Sequence, residues 1–311
     1  MPLCLTLPPA PSGLRYCELA MNALWMLLAC FMFATMGAFV KLVTGYFNVG
    51  QTVLIRGLMP ILLIGLWILW RRASLRTPHW RSHLYRSGAG GTAMLMYFGA
   101  ITLLPLACAV TLNNTSALFM AAMLSLRQRP SRSVLAGLGL GLVGVILVMK
   151  PDFSPGQWFG ALLGLCSAGL ACVAQLNLRD LGRAGEPEWR TVFILSLVMS
   201  LLAAPLALHL PARAHEAGPL QWLLLLGIGF TGGIGQLALT RAFSRGKAIV
   251  TASLGYSTVV FSSLYGMLIW DEHLDPLAWL GMLAIVAAGL LTTRPSAAAA
   301  TPPGKPEGAI L

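Results

Sequence analysis

Residues 49 to 70 read VGQTVLIRGLMPILLIGLWILW. A helix crossing a hydrocarbon core of about 30 Å needs about 20 predominantly apolar residues, and this run supplies them with one charge inside it, Arg56. The composition of the whole chain agrees. Of 311 residues, 57% are hydrophobic and 10% charged, and the mean hydropathy is +0.76; a soluble domain carries about 25% charge. Even a domain of roughly 300 residues buries only about 75% of the surface its unfolded chain exposes, so a soluble core could not hide this much apolar area. The chain therefore reads as an integral membrane protein, which excludes a soluble two-domain enzyme and a disordered chain. A secreted disulfide scaffold is excluded too: Cys30, Cys108, Cys166 and Cys172 lie inside apolar runs, where cysteine behaves as a small hydrophobe.

Working outward from 49–70, ten apolar segments appear: 22–42, 49–70, 88–104, 107–126, 133–150, 157–177, 190–210, 219–239, 248–270 and 277–293. They are too long and too continuously apolar for barrel strands, which alternate over about 10 residues. The fold class is all-α, with ten transmembrane helices and connectors too short to hold a soluble domain. The first 20 residues contain four prolines and fit neither a helix nor a signal peptide; residues 1–21 are an N-terminal extension, and Met21 is a second candidate start. Residues 294–311, rich in Ala, Pro and Gly, read as a disordered tail.

Alternating the ten spans from a cytoplasmic N-terminus places only Lys41, Lys150 and Arg213 on the far side. Arg56 falls within a span, and the remaining Lys and Arg face the cytoplasm, among them the run Arg71, Arg72, Arg76, Arg81 and Arg86. Positive residues favour the cytoplasmic side, so both termini are expected inside, in the inner membrane. The net charge of +11 then reflects anionic headgroups facing several short basic segments and gives no reason to expect a nucleic-acid partner.

Shifting the chain against itself by 144 residues superposes the fourth and fifth spans on the ninth and tenth, pairing Met123 with Met267, Leu124 with Leu268, Gly137 with Gly281 and Pro151 with Pro295. The intervening loops carry opposite charge: Arg127, Arg129 and Arg132 in one, Asp271, Glu272 and Asp275 in the other. Five spans per copy is an odd number, so a second copy enters the membrane upside down and its loops emerge on the opposite face. Two inverted five-helix repeats, 22–150 and 157–293, are expected, an arrangement by which secondary transporters build two gates around one site.

Gly99 to Pro105 leading into a polar fourth helix, together with the run from Gly232 through Ala242 to Trp270, Asp271 and Glu272 and then Gly281 and Gly289, resembles the ten-helix EamA-type branch of the drug/metabolite transporter superfamily. The likeness covers about 22 to 293. One departure is Gln128, where the second half has Glu272. The resemblance implies alternating access and transport of small polar metabolites, with export of an amino-acid-like, zwitterionic solute as the first expectation. Uptake of a vitamin, nucleotide-like or similar organic solute is the second.

Arg56 lies about seven residues, or roughly 10 Å, from one end of its helix. A charge near midplane costs at least about 2.5 to 3.5 kcal/mol, so something should compensate it. Two readings stay open: an anion site for a substrate carboxylate or phosphate, or a structural cation that snorkels or binds helix-end carbonyls. Lipid cannot satisfy the donors and acceptors of Asn113, Asn114, Tyr256 and Ser257, so these should turn inward toward a polar passage. Gln175, Gln236 and Tyr97 are further candidates to line it. The match of Gly139, Gly141 and Gly144 to a dinucleotide fingerprint lacks the preceding strand and the distant acid, and close helix packing explains it. His79 and His83 lack a metal-binding pattern. Neither a cofactor nor a metal is expected, no constellation for an enzyme is present, and the expected partners are the bilayer and a small-molecule substrate. Nothing in the sequence speaks to an oligomeric state. A reporter fused after Arg294 is expected to read cytoplasmic; a signal from the opposite side would overturn the topology.

Overall fold

The computed structural model describes residues 12–125, 155–245 apart from 211, and 257–292 apart from 272–274, with single helical positions between 136 and 147 and at 251, 254 and 255. All regular structure among these residues is helical, save an isolated bridge between Thr44 and Phe47. The helices are α1 (Ser12–Val43), α2 (Val49–Arg71), α3 (Trp80–Leu103), α4 (Leu106–Asn114), α5 (Ser116–Ser125), α6 (Pro155–Arg183), α7 (Glu188–His209), α8 (Pro219–Arg245), α9 (Ser257–Trp270) and α10 (Pro276–Thr292). Among the described residues five segments have the length and apolarity to cross a membrane: Ala23–Val43, Val49–Arg71, Trp158–Arg183, Glu188–His209 and Pro219–Ser244.

Several boundaries differ from the sequence expectation, α6 and α8 each ending six residues beyond it. Helix α1 begins at Ser12, inside the stretch expected to be non-helical. The prolines all lie at or before Pro11, so nothing beyond them obstructs the helical hydrogen bonds. Helix α3 begins at Trp80, eight residues before the expected span, because hydropathy marks where a helix enters lipid and not where its backbone starts to coil. The expected fourth span, 107–126, divides at Thr115 into α4 and α5. Most of the expected fifth span, 133–150, lies outside the described residues, as does the tail from 294.

The packing pairs have a regular form. Helix α1 runs against α8 and α3 against α6; α2 meets both α7 and α8, and α3 meets α7; α1 meets α9 and α4 meets both α6 and α9. Exchange each of α1 to α4 with its counterpart α6 to α9, and this set of pairs maps onto itself. Side chains at the centre are apolar and closely enclosed, among them Phe98, Ile101, Leu106, Leu112, Met199 and Ile228. Leucines on the outer faces, such as Leu62, Leu69, Leu201, Leu208, Leu223 and Leu268, are exposed. In water such a surface would aggregate; in a bilayer it is the lipid-facing wall.

Helices α2 and α7 approach closely because Gly57 has no side chain. A Cβ there would stand 2.9 Å from the Ser196 carbonyl oxygen and 3.2 Å from Met199 Cε. The N-terminus of α2 is fixed by Asn48, whose side chain accepts the Gln51 N–H at 2.8 Å while Gln51 Oε1 accepts the Asn48 N–H at 3.2 Å. This reciprocal pair satisfies two donors the helix cannot satisfy itself. Asn48 Nδ2 also donates to the carbonyls of Ala207 and Leu210, at 3.3 and 3.0 Å, tying the start of α2 to the end of α7. Asn48→Ala is expected to destabilise the bundle by about 1 to 2 kcal/mol, the usual worth of a cap. Asn48→Asp, which keeps the acceptor and loses the donor, should fall between. Apparent Tm in detergent micelles checks the order.

Candidate functional site

Helices of both halves enclose a cavity of about 140 Å³. One water needs roughly 10 to 15 Å³ by the same measure, so the space suits a small organic solute. Arg56, Tyr97, Asn113, Asn114, Gln175 and Gln236 all line it. The fourth span contributes three polar lining residues at the place where it divides: Asn113 and Asn114 end α4, and Ser116 opens α5. Interrupted helices at membrane depth are tolerated where they border a cavity, and transporter sites are often built on them.

Arg56 is 2% exposed. Its Nη2 donates to Gln236 Oε1 at 3.2 Å, while Nη1 and Nε point at sulfurs, Met199 Sδ at 3.1 Å and Met36 Sδ at 3.4 Å. A thioether is a weak acceptor, so the guanidinium is located without being neutralised. Gly232 makes room for it: a Cβ there would stand 3.0 Å from Arg56 Cγ and 2.9 Å from Met36 Sδ. Gln236 gives its oxygen to Arg56, and its own Nε2 has no partner among the described residues. Asn113 is oriented by Ser167 of α6, whose Oγ donates to Oδ1 at 2.7 Å, and Asn114 Nδ2 donates to the Val110 carbonyl at 3.0 Å.

Two expectations change here. Ser257 opens α9 half-buried and outside the lining; its neighbour Thr258 faces the cavity instead. A helix turns about 100° per residue, which carries Ser257 away from the space that Thr258 faces. Tyr256 lies outside the described residues. The larger correction concerns Arg86, assigned from sequence to a cytoplasmic connector. It lies in the second turn of α3, 4% exposed, and borders the same cavity as Arg56. Arg56 is therefore not the one cation in the interior. The missed signal was the neighbouring sequence: Trp80 to Ser87 contains neither Gly nor Pro, so nothing stops α3 from coiling before its apolar part begins.

An all-helical, multi-pass bundle with a polar cavity between its halves defines an integral membrane protein that handles a small solute. The chain matches the EamA-like transporter family twice, over residues 20–150 and 154–294, and it belongs to that family; it is a membrane transporter and not an enzyme. It is 32% identical over 278 residues to a pseudopaline exporter of Pseudomonas aeruginosa, covering 88% of this chain and 96% of that one. It is 25% identical over 283 residues to a riboflavin transporter of Vibrio cholerae, covering 88% and 93%. A solved crystal structure at 20% identity superposes with a TM-score of 0.68 over 88% of this chain and 98% of its own, which supports the fold.

A second polar cluster lies outside the cavity, at the end of the bundle where the loop after α2 meets the loop after α6. Glu186 accepts from Thr77 and from Arg190 Nη1, the latter at 2.7 Å, and His83 Nε2 stands 3.4 Å away. Arg190 Nη2 donates to the Ser74 carbonyl at 3.0 Å. This joins the first half to the second. Burial of Glu186 opposes its ionisation, but the hydrogen bonds from Thr77 and Arg190 and the charge of Arg190 outweigh it and hold the carboxyl below its ordinary value. Burial lowers the pKa of His83, partly offset by Glu186. A carboxyl depressed in the folded state stabilises above its ordinary pKa of about 4.3 and loses that contribution as pH falls through the depressed value. The Tm difference between the wild type and Glu186→Gln should therefore be flat above about pH 5 and shrink toward zero in more acidic buffer, as thermal unfolding across pH would show.

Proposed function

We propose that the protein exports a small polar or zwitterionic, amino-acid-like metabolite across the inner membrane by alternating access. In this reading two five-helix halves of opposite orientation, 22–150 and 157–293, rock around a fixed central site, with both termini cytoplasmic. The observation that carries it is the cavity itself, placed between halves whose packing pairs exchange onto one another and lined by Arg56, Gln236, Asn113 and Asn114. A pseudo-twofold relation of that kind lets one rigid-body motion open one end while closing the other. Arg56 supplies a forked donor set suited to a carboxylate. Asn113, Asn114 and Gln175 add amide donors and acceptors, and Tyr97 an aromatic edge.

The exporter of Pseudomonas aeruginosa supports the outward direction. The riboflavin transporter supports a second reading, uptake of a vitamin-like solute through the same site. Metabolites should be compared inside and outside cells with and without the protein: enrichment of one small polar solute in the medium is the expected result, and its depletion would favour uptake. Arg56→Ala should reduce counterflow in proteoliposomes at least about tenfold, as for loss of a hydrogen bond to a charged group, with Arg56→Lys recovering part of it. Unchanged counterflow in Arg56→Ala would remove Arg56 from the site.

A further inference from the structure

Arg86 adds a second guanidinium to the cavity. It comes from α3, near that helix's N-terminus, whereas Arg56 lies in the third turn of α2. Because α2 crosses the bundle and α3 starts where α2 ends, the two cations reach the cavity from opposite ends. Both are more than nine-tenths buried. Arg86 Nε has no hydrogen-bond partner among the described residues, and the described lining contains neither Asp nor Glu. The other polar lining groups are amides and hydroxyls, which carry no compensating charge.

Two desolvated cations facing one space without an acid are costly, since each charge repels the other and neither recovers its lost hydration. Removing an ion's water is offset only by opposite charge or by complete hydrogen bonding, and Arg56 has a weak set made of two thioethers and one amide. A bound ligand would supply the missing partner. A guanidinium pairs with carboxylate or phosphate oxygens in parallel, planar contacts, and two of them on different helices call for two such groups on one molecule.

We infer that the transported solute carries two anionic oxyacid groups, carboxylates or a carboxylate and a phosphate, with one held by Arg56 and the other by Arg86. The inference rests on the transport reading and narrows its substrate class. A zwitterion remains compatible if its acidic groups outnumber its amine, the amine being met by the carbonyl oxygens of Asn114 or Gln175. Arg86 is then a specificity-determining residue: it separates solutes with two acidic groups from those with one.

The test uses the full chain in proteoliposomes loaded with a small-molecule extract of the cells that make it, divided on an anion exchanger into unretained, singly charged and multiply charged fractions. Vesicles holding sodium chloride or sodium phosphate form separate arms. Mass spectrometry and ion-selective readings follow what leaves. Protein-dependent release from the multiply charged organic fraction is expected, with Arg86→Gln lowering it about ten- to a hundredfold, the range for loss of a charge-assisted hydrogen bond, and Arg86→Lys retaining more than Arg86→Gln. Release confined to the unretained or singly charged fractions, or to the inorganic anions, would overturn the inference while leaving transport intact. So would full release of a multiply charged solute by Arg86→Gln. No release from any fraction would overturn the transport reading and this inference with it. The fraction assignment uses wild-type protein alone, so it decides the matter even if Arg86→Gln does not fold.

Discussion

An uncompensated guanidinium inside a lipid-embedded bundle is the constraint around which the interior is arranged. Arg56 cannot be neutralised by lipid and has no acid beside it among the described lining residues, so the surrounding helices must hold it by shape. Gly232 clears the volume it occupies, Met36 and Met199 cap two nitrogens with polarisable sulfur, and Gln236 accepts from the third. Each contact is weaker than a carboxylate pair would be. The guanidinium is consequently ordered without being paired to an opposite charge among the described residues.

The rest of the fold follows from placing such a site in a bilayer. Polar groups need walls that keep them from acyl chains, and the packed central helices provide those walls while leucine-rich outer faces meet the lipid. The division of the fourth span at Thr115 puts Asn113, Asn114 and Ser116 beside the cavity. The exchange relation among packing pairs means that the two halves present similar surfaces to each other. Two packings of nearly equal energy are easier to reach in such an arrangement than in one whose halves fit in a single way.

Much of this was legible in residues. A lone charge in 49–70 and a cluster of amides in an apolar helix announce an interior surface, because no other place in a membrane tolerates them; Arg56, Asn113, Asn114 and Gln236, singled out on that ground alone, all border the cavity. Arg86 was not legible in the same way. Counting charges between apolar runs assumes that a basic residue just outside a run faces water, whereas a helix that starts earlier carries it inward on a long side chain. Thr258 against Ser257 was a matter of helix phase, which a segment with hydroxyls on several faces does not encode. The division at Thr115 has no Pro or Gly to mark it, so periodicity gave no warning.

The two ends of the bundle are tied by different chemistry. At one, Asn48 links α2 to α7 through neutral hydrogen bonds to the Ala207 and Leu210 carbonyls. At the other, Glu186 gathers Thr77, His83 and Arg190 around a buried negative charge. Neutral amide contacts respond little to pH or salt, while an ionised cluster responds to both. Proton activity and ionic strength would thus act on the Glu186 contacts more than on the Asn48 contacts. That asymmetry needs no titratable group in the cavity. It arises because the two family repeats share a backbone plan and not a set of side chains, so the ends of the bundle are free to be tied by unlike bonds.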